Sequence, residues 1–359
     1  MTSPAEARIA TLPALGRWGV AWTRPQHKAE VYNAAANRLL SETGTFDEVE
    51  VAQDIVNNFR SSHSYPLNTF QVGLRRLAPH GAVIAQRLKR LPSILAKLEL
   101  RQDTMKLSQM QDIGGCRAIL QSVTSVRAVR EAYRRSEMKH HFQNEKDYIA
   151  DPRESGYRGM HLVYRYFSDK NKTWNGLKIE IQLRSQIQHA WATAVESIGT
   201  FLGKALKSSQ GDKEWLEWLK LVSSAFALIE RSPLVPGTPT NQKALRRAIR
   251  ETAGRLRVYQ TLAGVRSALD MRDAPTHAKA DYFLMMLDYR QNRLRVRGFR
   301  RQEMERAQQE YLEAERELAA DGAAVLVSVS SMDQLKRAYP NFYQDTDLFV
   351  SLVRRVSRP

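Results

Sequence analysis

The stretch KIEIQLR, residues 178–184, decides how this chain folds. Ile179, Ile181 and Leu183 alternate with Glu180, Gln182 and Arg184. A period of two sends the apolar side chains to one face and the polar ones to the other. The segment is a strand with one face on a core and the other carrying charge. Working outward, Met160 to Phe167 is a second strand, rich in aromatic and β-branched residues. Asp112 to Leu120 is a loop entering a third. Ala82 to Arg90 reads as a fourth, since Pro92 disfavours one long helix through it, and Ser93 then caps a short helix carrying Lys97.

Helical patterns lie between and after these strands. One puts Val126, Val129 and Tyr133 inward, one covers Gln186 to Thr200, and one is marked by Trp215, Trp218, Leu219, Val222, Phe226 and Ile229. Residues 28–60 also have a helical period, with Val31, Ala35, Leu39 and Leu40 on one face and Val51, Ile55 and Phe59 on another. The run SPLVPGTPT, 232–240, with three prolines and a glycine, is the best boundary in the chain. Beyond it the pattern gives a helix near 242–262, a hairpin of 282–288 with 294–299, a charged helix 302–320 stopping at Gly322, a strand 324–329 and two short helices. The expected organisation is a helical segment over 1–80, a catalytic region with trailing helices over 81–231, a linker over 232–240 and a small α+β domain over 241–359.

Composition bounds the function. The chain has 359 residues, 43% apolar and 26% charged, which excludes a disordered chain, a collagen-like fibre and a disulfide scaffold. The single cysteine, Cys116, cannot pair within the chain and excludes a zinc site built on several cysteines. No apolar run approaches the roughly 20 residues of a spanning helix, and no export signal is legible, so a cytoplasmic protein without membrane contact is expected. The net charge is +17. It is spread along the chain and attracts polyanions such as nucleotides or nucleic acid.

Four blocks bring basic and acidic residues together on strands and loops. Arg87 and Lys89 share a strand face, with Lys97 beyond. Asp112 and Arg117 bracket Gly114 and Gly115, where backbone can approach a ligand closely. Lys146, Tyr157 and His161 lie in or after a loop before a strand. Glu180, Gln182 and Arg184 line one strand face. Phosphoryl transfer needs cations against a polyphosphate, carboxylates for Mg²⁺, a base for the attacking hydroxyl and an aromatic face for a nucleobase. The blocks supply each. Neither GxxxxGK[ST] nor GxGxxG is present, so the common nucleotide-binding folds are not indicated.

These blocks resemble the synthetase domain of the RelA/SpoT family. The stretches RLKRLPSILAKL, QDIGGCRAI, KDYIADPRESGYRGMH and IEIQLRS followed by HAWA occur in the family's order. The resemblance implies an α+β fold, with a nucleotidyltransferase-like mixed sheet flanked by helices. It implies transfer of the β,γ-pyrophosphate of ATP to a ribose 3′-hydroxyl with Mg²⁺. Carried over by position, Arg87, Lys89, Ser93, Lys97 and Arg117 would bind ATP, and Asp112 would hold Mg²⁺. Glu180 would share the metal or act as base. Lys146, Tyr157, His161, Gln182 and Arg184 would line the acceptor side, with Tyr157 stacking on the acceptor base. Ser155 stands where the family usually has Asn, Gly159 where it has Ser and Arg153 where it has Lys. All three departures fall on the acceptor side. The family's hydrolase domain is not indicated, since no His-Asp dipeptide occurs.

The run Tyr339, Pro340, Asn341, Phe342, Tyr343 is similar to a segment of fused toxin–antitoxin members of the family, the CapRel type. That resemblance implies a toxin acting on the 3′ CCA end of tRNA. It implies restraint by the C-terminal domain through Tyr339, Phe342 and Tyr343, and release by a phage protein. A tRNA substrate would also account for the charge. Two alternatives stand beside this expectation: an alarmone synthetase using GDP or GTP as acceptor, and a basic RNA-binding module with a degenerate site.

Overall fold

The computed structural model describes residues 22–358 except 42–43, 102–103, 202–212, 257, 259–280, 289–292, 319–321 and 329–346. Strands β1 (Val83–Leu88), β2 (Gly114–Leu120), β3 (His141–Asp147), β4 (Met160–Arg165) and β5 (Lys178–Ser185) form one sheet in the order β1-β2-β5-β4-β3. The β2–β5 pair is parallel and the other three pairs are antiparallel. The expected mixed sheet is present. Its centre is the strand quoted first: β5 lies between β2 and β4, with Ile179, Ile181 and Leu183 fully buried.

Those three side chains face a core built with Leu67, Phe70 and Leu74 of helix α3 (Ser64–Leu77) and Val126, Val129 and Tyr133 of α5 (Val123–Arg135). Cys116 is a small buried member of that core, and burial pushes its thiol pKa up. Helices α1 (Ala29–Leu40), α2 (Phe46–Ser62) and α4 (Leu91–Glu99) share a second cluster around Val56, Ile94, Leu98 and Ile113. Helices α6 (Gln186–Phe201), α7 (Lys213–Ile229) and α8 (Gln242–Arg255) build a third around Trp191, Trp218 and Ile249.

Three local readings are corrected. Helix α4 starts at Leu91 with Arg90 as its N-cap, so Ser93 lies inside the first turn and is not the cap; proline is tolerated there because the first N–H groups lack intrahelical partners anyway. Ala35 and Phe59 are buried as expected, together with Tyr32, Ala36, Ala52 and Val56, and Leu39, Leu40 and Ile55 pack against them, whereas Val31 and Val51 are exposed. Residues 141–147, not read as a strand, form the sheet edge.

Beyond α8, β6 (Tyr282–Asp288), β7 (Arg293–Phe299) and β8 (Gly322–Ser328) form an antiparallel sheet in the order β7-β6-β8, covered by α9 (Met304–Leu318). Helix α10 (Asp347–Val356) returns to the α6–α7 layer, with Phe349 against Trp218 and Phe226. Residues 232–240 are packed and not an open tether: Val235 is buried and its N–H donates to Ser224. Among the described residues no helix is long and apolar enough to cross a membrane.

Candidate active site

The polar face of β5 is the floor of the site. Strand register sets Arg87 of β1, Gly115 of β2 and Glu180 of β5 side by side. The next row holds Arg117, Gln182, His161 and Lys146. The two glycines at the start of β2 have different jobs. A Cβ on Gly114 would lie 2.8 Å from Ile179 Cδ1, so this glycine allows close packing on the core side. A Cβ on Gly115 would meet only the Glu180 carbonyl at 3.8 Å, so this one leaves space over the polar face.

At one end of the floor, Lys89 and Lys97 each hold one oxygen of Asp112, at 3.1 and 2.8 Å. The three come from the end of β1, from α4 and from the loop before β2. Burial alone would raise the Asp112 pKa, but the two ammonium groups reverse this and hold it at about 2. Burial lowers the Lys89 pKa, with Arg87 adding to the effect and Asp112 opposing it.

At the other end a chain of polar contacts crosses the strands. Glu180 Oε1 meets His161 Nδ1 at 2.9 Å, and Gln182 donates to Glu180 Oε2 at 2.6 Å. His161 Nε2 lies 2.6 Å from the Tyr157 hydroxyl, to which Arg184 also donates at 2.8 Å. Glu180 and His161 keep 13% side-chain exposure each, so the centre of the chain is not sealed from solvent. Burial opposes ionisation of all three titratable members. Their charged neighbours win: Arg184 and His161 lower the Tyr157 pKa, Tyr157 and Glu180 raise that of His161, and His161 lowers that of Glu180.

The loop between β3 and β4 is held by structural contacts. Asp147 pairs with Arg127 and accepts from the Ile149 and Ala150 N–H groups. Gly156, at φ 87°, lies against α7, where a Cβ would come 2.9 Å from that of Ser223. Gly159, at φ 152°, leaves room for Arg184 to lie 5.0 Å over the Tyr157 ring. Lys146 is on β3, exposed and opposite His161. Ser93 belongs to the first turn of α4. Tyr148 was given no role by the sequence, yet its ring edges meet both Tyr157 and His161, and Arg153 stacks on it at 4.6 Å. Its only signal was its place in the block KDYIADPR. Tyr339, Phe342 and Tyr343 lie outside the described residues.

Residues 86–199, which contain nearly all of this geometry, match the family described as the region found in RelA / SpoT proteins. Over these residues the chain is similar to the RelA/SpoT family. A curated relative, GTP pyrophosphokinase YjbM of Bacillus subtilis (strain 168), is 32% identical over 117 residues, 32% of this chain and 54% of the relative. The matched region thus spans about half of that protein. Among solved structures, small alarmone synthetase 1 of Bacillus subtilis bound to its product pppGpp aligns with a TM-score of 0.43 at 24% identity, covering 49% of this chain and 92% of that one. Small alarmone synthetase 2 of Bacillus subtilis aligns with a TM-score of 0.42 at 22% identity, covering 49% and 94%.

The expectation of a tRNA-directed, self-restrained toxin of the CapRel type, released by a phage protein, is corrected here. The relative that shares the site-bearing region is named for GTP, not for tRNA.

Among the described residues no group of three or more His, Cys, Asp or Glu side chains could hold a metal alone. Mg²⁺ does not need one, because it takes one or two carboxylates and completes its shell with phosphate oxygens and water. Asp112 and Glu180 are near enough for the Asp112 charge to push the Glu180 pKa upward. Two such carboxylates on a basic floor fit Mg²⁺ arriving with a triphosphate.

Proposed function

We propose that this RelA/SpoT region is a pyrophosphokinase that moves the β,γ-pyrophosphate of ATP to the 3′-hydroxyl of GDP or GTP. The observation that carries the reading is the arrangement along one sheet face: a lysine-clamped carboxylate at one end, the Glu180–His161–Tyr157–Arg184 chain at the other, and the open space over Gly115 between them. Arg87, Lys89, Lys97 and Arg117 supply cations for the triphosphate of ATP. Asp112 and Glu180 would hold Mg²⁺, which when bound neutralises charge on the phosphates.

In the transfer the acceptor 3′-oxygen bonds to the β-phosphorus, the bond from that phosphorus to the α,β-bridging oxygen breaks, and AMP leaves. Glu180 is held ionised by His161 and Gln182 and takes the hydroxyl proton. The guanine stacks on Tyr157 once Arg184 leaves the ring face, and the freed guanidinium then meets an acceptor phosphate. Lys146 and Gln182 flank that side.

The test is label transfer from γ-labelled ATP with Mg²⁺ to GDP or GTP by the full chain. Labelled guanine nucleotide is expected, and Glu180→Gln should reduce it at least about a hundredfold while ATP still binds. No labelled guanine nucleotide from the native chain, or full activity in the variant, would sink the reading.

A further inference from the structure

The ion pair that crosses from the C-terminal sheet to the catalytic region is buried. Arg60 of α2 is 0% exposed and Glu315 of α9 is 10% exposed, and their side chains meet at 2.7 Å. Arg60 also stacks on Tyr311 at 4.9 Å and donates to Asn57 at 2.8 Å. The second oxygen of Glu315 accepts from the Tyr311 hydroxyl at 3.1 Å and from the backbone N–H of Leu91 at 3.3 Å. Leu91 is the first residue of α4, a helix with no side-chain cap and no acidic residue in its first turn. A carboxylate at that end satisfies an orphan donor and complements the helix dipole. Glu315 therefore does for α4 what α4 lacks in its own sequence. Six residues along, the same helix presents Lys97 to Asp112. Arg87 of β1 lines a cavity with Tyr282, Met304, Gln308 and Tyr311, so the same module also borders the strand that leads to Lys89.

We propose that Glu315 is a positioning residue for the donor site: it fixes the N-terminal end of α4 and thereby where Lys97 meets Asp112 and the phosphates of ATP. The proposal rests on the donor-site reading given above.

A buried ion pair also carries stability, so the test separates the two roles. Replacing both partners, Arg60→Met with Glu315→Leu, leaves no unpaired buried charge and should unfold near the native temperature. The acceptor for the Leu91 N–H is nevertheless gone. This double variant of the full chain should bind a non-hydrolysable ATP analogue about three- to tenfold more weakly, the range expected for loss of a helix cap, with the KM for GDP unchanged. Glu315→Asp, which keeps the charge beside Arg60 but draws the oxygens back from Leu91, should show the same weakening. Glu315→Gln, which keeps an oxygen in reach, should retain analogue affinity even with a lower Tm. Native affinity in both the double variant and Glu315→Asp overturns the proposal. Lys97→Ala is the control: if it leaves analogue affinity unchanged, the donor-site reading falls and the proposal with it.

Discussion

Two adjacent glycines show how differently one residue type serves packing and binding. Gly114 is confined by Ile179 Cδ1, with the His63 and Leu67 Cβ atoms also close. Gly114→Ala should therefore cost about 1–3 kcal/mol by overpacking, seen as a lower urea midpoint. Gly115 faces the open floor, so Gly115→Ala should leave the midpoint unchanged and weaken ATP-analogue binding instead. Equal stability loss in both variants would contradict the division of labour. The pair was legible in the sequence as a place where a ligand could approach, but the division was not. It depends on which neighbour each Cα faces, and that is fixed by pairing with a strand more than sixty residues away.

Among the elements, β5 was readable because its alternation is complete: apolar on the core side, polar on the site side. Strand β3 was not, because HFQNEKD is an edge strand with exposed charges and has little apolar pattern to show. Its position is secured by ion pairs with α5, Arg130 to Glu145 and Arg127 to Asp147. In α1 and α2 the expected faces held at Ala35, Leu39, Leu40, Ile55 and Phe59 but failed at Val31 and Val51, exposed apolar residues beside the buried Tyr32 and Ala52. The junction of α2 and α3 offers a pH test. His63 is buried there, with Nδ1 2.8 Å from the Phe59 carbonyl, and burial lowers its pKa from 6.5 to about 4. A depressed value means that the unfolded chain takes up the proton first as pH falls. The contribution is complete above pH 6.5 and erodes toward pH 4, amounting to about 3 kcal/mol. Urea titrations across that window should show a smaller loss of stability in His63→Gln than in the native chain. Parallel curves would contradict the assignment.

On the scale of the molecule, the described residues beyond α8 meet the RelA/SpoT-like region and its trailing helices at two junctions. The β6–β8 module joins α2, α4 and β1 through Glu315, Tyr311 and Arg316, and α10 joins α6 and α7 through Phe349. Neither junction was legible. The proline-rich boundary at 232–240 suggested a division, while the residues that bridge it are separated by more than a hundred positions. Phe349→Ala should cost about 3–5 kcal/mol, since the ring is buried between Trp218 and Phe226. Thermal unfolding followed by tryptophan fluorescence would show it; an unchanged Tm would mean that α10 contributes little to this core. The charge of +17 needs no nucleic acid, because the nucleotides proposed as substrates are polyanions and a basic cleft would raise their local concentration.

The return of α10 to the α6–α7 layer also bears on how the protein is made. Residues 213–229 leave the ribosome well before residues 347–356 exist. About 120 residues lie between them, and at about 5–20 residues per second their synthesis takes roughly 6–24 seconds. For that interval Trp218 and Phe226 have α6 and α8 beside them but lack the Phe349 ring that covers them in the finished fold. A pause in translation between α8 and α10 would lengthen that interval.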